Sequence, residues 1–94
     1  MNKYETVMII KPNITDDERR KVINKIANYI KDNGTIIFVD DMGIRRLAYQ
    51  IKKQSEGYYY VIKFECNAKA IAGLERTYRL TDEVLKFIVI REDI

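Results

Sequence analysis

A chain of 94 residues, 47% hydrophobic and 33% charged, has the makeup of a single folded domain and is too short for two. Its net charge of +3 permits a nucleic-acid partner without requiring one, because the bases are spread along the whole chain. The lack of histidine excludes Ser-His and Cys-His nucleophiles and removes the commonest metal ligand; Cys66, the sole cysteine, excludes an internal disulfide and fits a reducing, cytoplasmic setting.

The opening MNKYETVMIIKPN lacks the apolar core of a signal peptide, and no apolar run approaches the length of a membrane span. Residues 3–10, KYETVMII, predict a first strand closed by Lys11-Pro12-Asn13. Thr15 then caps a helix, with Glu18 placed to complete a capping box and Asp16 and Asp17 at the positive end of the helix dipole. Val22, Ile23, Ile26, Ala27 and Ile30 form one apolar stripe at helical spacing, and Asn33-Gly34 ends the helix with Gly34 as a left-handed cap.

Residues 35–39, TIIFV, begin a second strand, interrupted at 40–43 by a bulge or bend and resumed over 44–52. Gln54-Ser55-Glu56-Gly57 is expected as the hairpin connection, followed by a third strand over 58–66, YYYVIKFEC. Asn67 caps a second helix that buries Ile71, Leu74 and Tyr78. Thr81-Asp82-Glu83 turns the chain into a fourth strand over 84–91, leaving Glu92-Asp93-Ile94 as a short tail.

The order β-α-β-β-α-β predicts an α+β fold, the ferredoxin-like arrangement: a four-stranded antiparallel sheet with two helices on one face, in one domain over 1–94. Two helices cover a single face, so the other is left to water or to a partner. Strand parity assigns the side chains. Tyr60, Ile62, Phe64 and Cys66 should lie under the helices, as should Leu47, Tyr49 and Ile51, Phe87 and Val89, and Tyr4, Thr6, Met8 and Ile10. Arg46, Ala48 and Gln50 then fall on the open face, together with Lys3, Val7, Ile9, Tyr59, Val61, Lys63, Lys86, Ile88 and Ile90. A sheet surface this apolar suggests a binding face, the alternative being a few tolerated surface aliphatics.

An RNA-recognition module shares this element order and carries stacking aromatics on its third strand. Here the matching run is Glu56-Gly57-Tyr58-Tyr59-Tyr60-Val61-Ile62-Lys63, with an acid at the first position and Lys63 at the last aromatic one. Tyr58 and Tyr60 share parity with Ile62 and Phe64, which argues against base stacking. An acylphosphatase-like enzyme would need a glycine-rich anion loop after the first strand, and Lys11-Pro12-Asn13-Ile14 has no glycine. Asp40 and Asp41 are neighbours that point apart and read as turn acids; Cys66 reads as an inert core thiol. No catalytic group, metal site or cofactor is expected.

GIRRLAYQIK, residues 43–52, resembles the signature of the sixth protein of the bacterial small ribosomal subunit, with Gly43, Arg45, Arg46, Leu47, Ala48, Tyr49 and Ile51 at the signature positions. The resemblance runs through the whole chain, including YETVMIIKPN and the GYYYV third strand. It implies a structural, non-catalytic, ribosome-associated role. The family binds the central domain of small-subunit ribosomal RNA together with the eighteenth protein of the same subunit. Carried onto this chain, Arg45 and Arg46 become the leading RNA contacts, against the plainer reading of a solvated edge-strand pair that discourages aggregation. Lys3, Tyr4, Lys86 and Arg91 are assigned to RNA by their positions at strand ends. Val7, Ile9, Tyr59, Val61 and Ile88 are assigned to the protein partner. A function residing in the long acidic C-terminal tail of some members is not carried over. The competing reading is a free-standing RNA-recognition module that stacks single-stranded bases.

Overall fold

In this computed structural model, residues 1–92 are described. Chain order gives β1 (Asn2–Ile10), α1 (Asp16–Asn33), β2 (Gly34–Ile51), β3 (Gln54–Cys66), a 3₁₀ turn (Ala68–Ala70), α2 (Ile71–Arg79) and β4 (Val84–Arg91). The strands form one antiparallel sheet ordered β2-β3-β1-β4. This is the expected ferredoxin-like α+β arrangement. Of the expected tail, Glu92 continues from β4, its amide bonded to the carbonyl of Lys3 at 2.9 Å, while Asp93 and Ile94 lie outside the described residues.

α1 starts where the sequence says it should. Thr15 is extended, and its Oγ1 accepts the amide of Glu18 at 3.1 Å, satisfying one of the donors that a helix start leaves open. Asn67 does the same for the amide of Lys69 ahead of α2. Val22, Ile26, Ala27 and Ile30 of α1 and Leu74 and Tyr78 of α2 are buried. They meet Tyr4, Met8, Ile10, Tyr60, Ile62, Phe64, Cys66 and Val84 in one core, with Ile71, Phe87 and Val89 packed against it. Parity therefore places β1, β3 and β4 as expected. Inside this layer the Thr6 and Tyr78 hydroxyls are bonded at 2.8 Å, and Thr6 also donates to the carbonyl of Ile88 at 2.9 Å, so neither hydroxyl is buried without a partner.

Two glycines differ from expectation. Gly34 is extended rather than left-handed and is the first residue of β2. It is a glycine because a Cβ there would run into the carbonyl oxygen of Glu65 and the Cβ of Cys66 on β3. Gly57 lies inside β3 rather than in a turn, where a Cβ would strike the Ile9 side chain and crowd the carbonyl oxygen of Ile10. The β2–β3 connection is the two-residue turn Lys52-Lys53, both left-handed with φ of 49° and 67°. Positive φ at both central positions is the type I′ geometry, whose twist matches that of the strands it joins.

β2 also departs from simple alternation. Its register against β3 shifts between Ile36 and Phe38, between Asp41 and Gly43, and again between Arg46 and Ile51. The expected bulge at 40–43 is the second of these; Gly43 sits at φ 72° and its amide donates to Asp41 Oδ1 at 2.9 Å. At the third, residues 47–50 of β2 face a single residue of β3, and the hairpin tip leaves the sheet plane.

Two expected outcomes follow from this packing. Gly34→Ala loses about 1–3 kcal/mol of stability in urea unfolding, because backbone atoms of β3 must give way. The second concerns alkaline pH. Burial pushes the Tyr78 phenol well above its ordinary range, the bond with Thr6 offsetting only part; burial also raises Tyr60, against the opposing effect of Arg19. Both phenols hold their protons more tightly folded than unfolded. Their contribution is therefore intact below about pH 10 and is lost as pH rises above it. Urea midpoints decline above that pH, and Tyr78→Phe makes the decline shallower; an equal slope in the variant counts against this account.

Candidate interaction surface on the open sheet face

No helix covers the other side of the sheet, and cross-strand pairing sets its side chains in rows. One row reads Asp40, Val61, Val7 and Ile88 from β2 to β4; the next reads Gly43, Tyr59, Ile9 and Lys86; on the other side lies Phe38, Lys63, Glu5 and Ile90. Val7, Tyr59 and Val61 are half-buried, while Ile88 and Ile90 are 42% and 51% exposed. An apolar strip thus runs across all but the β2 edge of the sheet. A depression of about 230 Å³ opens within it, lined by Val7, Ile9, Tyr59, Lys86, Phe87 and Ile88.

The hairpin tip closes one end of this strip. Leu47 is buried against Ile9 and Leu85, with Ile51 and Tyr59 packed around them. Parity predicts Leu47, Tyr49 and Ile51 beneath the helices. They instead fold over the helix-free face, where Leu47 and Ile51 shelter Ile9 and Leu85. Tyr49 is 63% exposed and its hydroxyl receives a hydrogen bond from Lys86 Nζ at 3.2 Å, with the ammonium 5.7 Å from the ring centroid. Ile9, assigned to a partner, is only 7% exposed and is thus covered from within the chain. Val7, Tyr59, Val61 and Ile88 remain together and open to a partner.

The six residues assigned to RNA do not form one patch. Arg45 pairs with Gly57, whose missing Cβ would have pointed at Ile9, so Arg45 belongs to the helix-free side. Arg46, expected there, pairs with Glu56 one position on and takes the opposite side with Ile44 and Tyr58. Both arginines are exposed. Arg45 Nε donates to the carbonyl of Met42 at 3.2 Å, so the Gly43 bulge also steadies its guanidinium; neither arginine has an ion pair among the described residues. Lys86 and Lys3 lie on the helix-free side, at opposite ends of it. Arg91 pairs with Tyr4, on the helix side, and its Nη2 donates to Asn2 Oδ1 at 3.2 Å. Tyr4 itself drops out: it is 6% exposed, with its ring stacked on Phe64 at 5.6 Å, and offers no face to RNA.

Other candidates occupy structural places. Tyr60 is buried and its hydroxyl accepts Arg19 Nε at 2.9 Å, while the Arg19 guanidinium lies 4.0 Å over the Tyr58 ring. Neither tyrosine presents a stacking surface on the open face. Burial raises the Cys66 thiol, away from a thiolate nucleophile. Among the described residues no group of three His, Cys, Asp or Glu side chains could hold a metal ion, and no helix is long and apolar enough to cross a membrane.

The arrangement suits docking: a two-layer α+β domain, helices on one face of the sheet, with an apolar strip on the uncovered face and cations at the rim. The profile of the family Ribosomal protein S6 matches residues 3–91. Small ribosomal subunit protein bS6 of Thermoanaerobacter pseudethanolicus is 42% identical over 94 residues, covering 99% of each chain. The bS6 protein of Helicobacter acinonychis is 46% identical, and there the chain spans 66% of the relative's length. The crystal structure of 30S ribosomal protein S6 from Thermotoga maritima superposes with a TM-score of 0.93 at 36% identity, covering 97% of this chain and 87% of that one. The chain belongs to the ribosomal protein S6 family.

Because Tyr60 fills core volume, Tyr60→Ala lowers stability by about 3–5 kcal/mol in denaturant unfolding, the range for large aromatic truncations. A folded Tyr60→Ala variant of near-normal stability would restore the stacking alternative.

Proposed function

We propose that the chain is a structural component of the small ribosomal subunit, without catalytic activity, and that it works in the cytoplasm. It binds the central domain of small-subunit ribosomal RNA jointly with a partner, the eighteenth protein of that subunit. The observation that carries the reading is the open strip of Val7, Tyr59, Val61 and Ile88 bordered by Arg45 and Lys86, in a chain of the ribosomal protein S6 family. Buried apolar side chains of this kind supply about 1.5–3 kcal/mol each, so three contiguous aliphatics beside Tyr59 suit a protein neighbour. The cations beside it suit the phosphates of folded RNA, read by charge and shape with little base contact. Arginine is well matched to this work because its planar fork holds two phosphate oxygens.

The two halves of the reading separate by mutation. Ile88 is part-exposed on the strip, so Ile88→Glu leaves the fold intact and weakens partner binding by about 2 kcal/mol, roughly thirtyfold, measured by calorimetry. Arg45→Ala weakens joint RNA binding and lowers the dependence of log affinity on log salt by about 0.7–0.9 for each phosphate that the arginine neutralises. Partner affinity untouched by Ile88→Glu would remove the strip from the interface, and a salt slope untouched by Arg45→Ala would remove the arginine from the RNA.

A further inference from the structure

Beyond the strip and the arginine pair, the β2–β3 turn, the end of α2 and the start of β4 enclose a cleft of about 340 Å³. Lys52, Arg79 and Lys86 line it, with Asp82 the only carboxylate among the lining residues and Thr81 and Phe87 in its walls. None of the three cations has an ion pair among the described residues. Arg79 is held over Phe87, guanidinium carbon to ring centroid 5.9 Å, and Lys86 gives one of its three donors to Tyr49. Two donors of Lys86 remain at the helix-free side of β4, and Arg79 reaches the same cleft from the helix side, so an anion at this end of the edge strand would lie between them.

Lys52 reaches this place through an unfavourable backbone. The first central position of a type I′ turn favours glycine or asparagine, yet here a lysine stands at φ 49°. Lys53 shares the left-handed backbone at φ 67°, so the two-residue turn imposes it and thereby fixes where the Lys52 side chain leaves the chain. The carbonyls at the end of α2 would repel an anion, but three of the last four are engaged. Arg76 O accepts the amide of Leu80 at 3.0 Å, Tyr78 O that of Thr81 at 3.0 Å, and Thr77 O the Thr81 hydroxyl at 2.7 Å. Lys86 and Phe87 also line the depression in the apolar strip, so the two hollows share a wall.

We propose that this cleft holds a backbone phosphate of the bound RNA, gripped by Lys52, Arg79 and Lys86 next to the protein partner. The proposal rests on the RNA-binding reading and adds an anchoring point that extends beyond the 43–52 signature to α2 and β4. A free phosphate ion offers the same chemistry, and the experiment separates the two sources.

The full chain is titrated with inorganic phosphate while amide resonances are followed, and the complex with partner protein and ribosomal RNA is measured across a salt series. Lys52→Gln with Arg79→Gln is compared with the native chain in both, and thermal unfolding verifies that the fold is kept. The proposal expects phosphate to shift the amides of Lys52 and of residues 79–86 in the native chain only. It also expects the salt slope of the double variant to fall by about 0.7–0.9, with a several-fold weaker affinity. Absence of phosphate shifts overturns it, however well the RNA binds. Shifts with an unchanged salt slope overturn it in favour of a free-anion site. An unchanged double variant beside a weakened Arg45→Ala leaves the RNA reading standing and removes this cleft from it. A native chain that takes phosphate but binds no ribosomal RNA sinks the RNA reading, and the assignment of an RNA phosphate with it.

Discussion

Met8, Ile10, Ile62 and Phe64 of the central strands meet Ile26, Ile30, Leu74 and Tyr78 of the helices with at most 2% of each left exposed. At roughly 1.5–3 kcal/mol for each such side chain, this contact supplies most of the drive to fold, and it uses up the apolar stripes of both helices. Nothing of comparable size remains for the other side of the sheet. That side has to be made tolerable in water by the strands themselves, and the devices that do so determine where a partner can dock.

Three devices are visible. At the end near Lys3, charges alternate across the strands: Lys3 faces Glu65, Glu5 faces Lys63, and Lys63 lies 3.5 Å from Glu92. At the opposite end the hairpin tip folds back so that Leu47 and Ile51 cover Ile9 and Leu85. Gly57 makes this possible, because any side chain there would occupy the space of Ile9. Along the β2 edge the Gly43 bulge and the two arginines break the regular row of backbone donors and acceptors that would otherwise invite another strand. Between these devices the strip of Val7, Val61 and Ile88 with Tyr59 is left uncovered.

Much of this is legible in the sequence, and the failures share a cause. Where a strand alternates without interruption, as β1 and β3 do, apolar parity predicts the buried set residue by residue. In β2 the same logic puts Leu47, Tyr49 and Ile51 under the helices, because apolar residues in a strand point first to the main core. They are apolar because they pack on the second, smaller cluster. Parity alone does not decide, since each register shift reverses the faces of the strand, and of the three in β2 the sequence marks only the one at 40–43. Gly34 and Gly57 look like backbone punctuation, whereas each marks a close approach by a neighbouring side chain or strand that only the fold reveals. The turn at Lys52-Lys53 carries no signal, because lysine is not a residue that type I′ geometry selects. Tyr4 falls in the core by parity and near RNA by its position at a strand end, and the core prevails.

The modest net charge of +3 hides an uneven field. Around Lys3 the bases of the open face stand opposite Glu5, Glu65 and Glu92, so their potentials largely cancel beyond a few ångströms. Around the hairpin tip, Arg45, Lys52, Arg79 and Lys86 are joined to no carboxylate by an ion pair among the described residues. The hairpin end thus gathers four cations around one lining carboxylate, Asp82, whereas at the end where β1 begins Lys3 and Lys63 alternate with Glu5 and Glu65 across the strands. Under the proposed RNA-binding role, this polarity favours Lys86 and Arg45 over Lys3 as phosphate contacts, although all three share a face. It also accounts for the order of the surface, in which the strip suited to a protein is bounded on one side by paired, neutralised charge and on the other by cations free to meet phosphate. An RNA lying against that second border would touch the partner and the domain at once, which is the geometric condition for the two proteins to bind it more tightly together than either does alone.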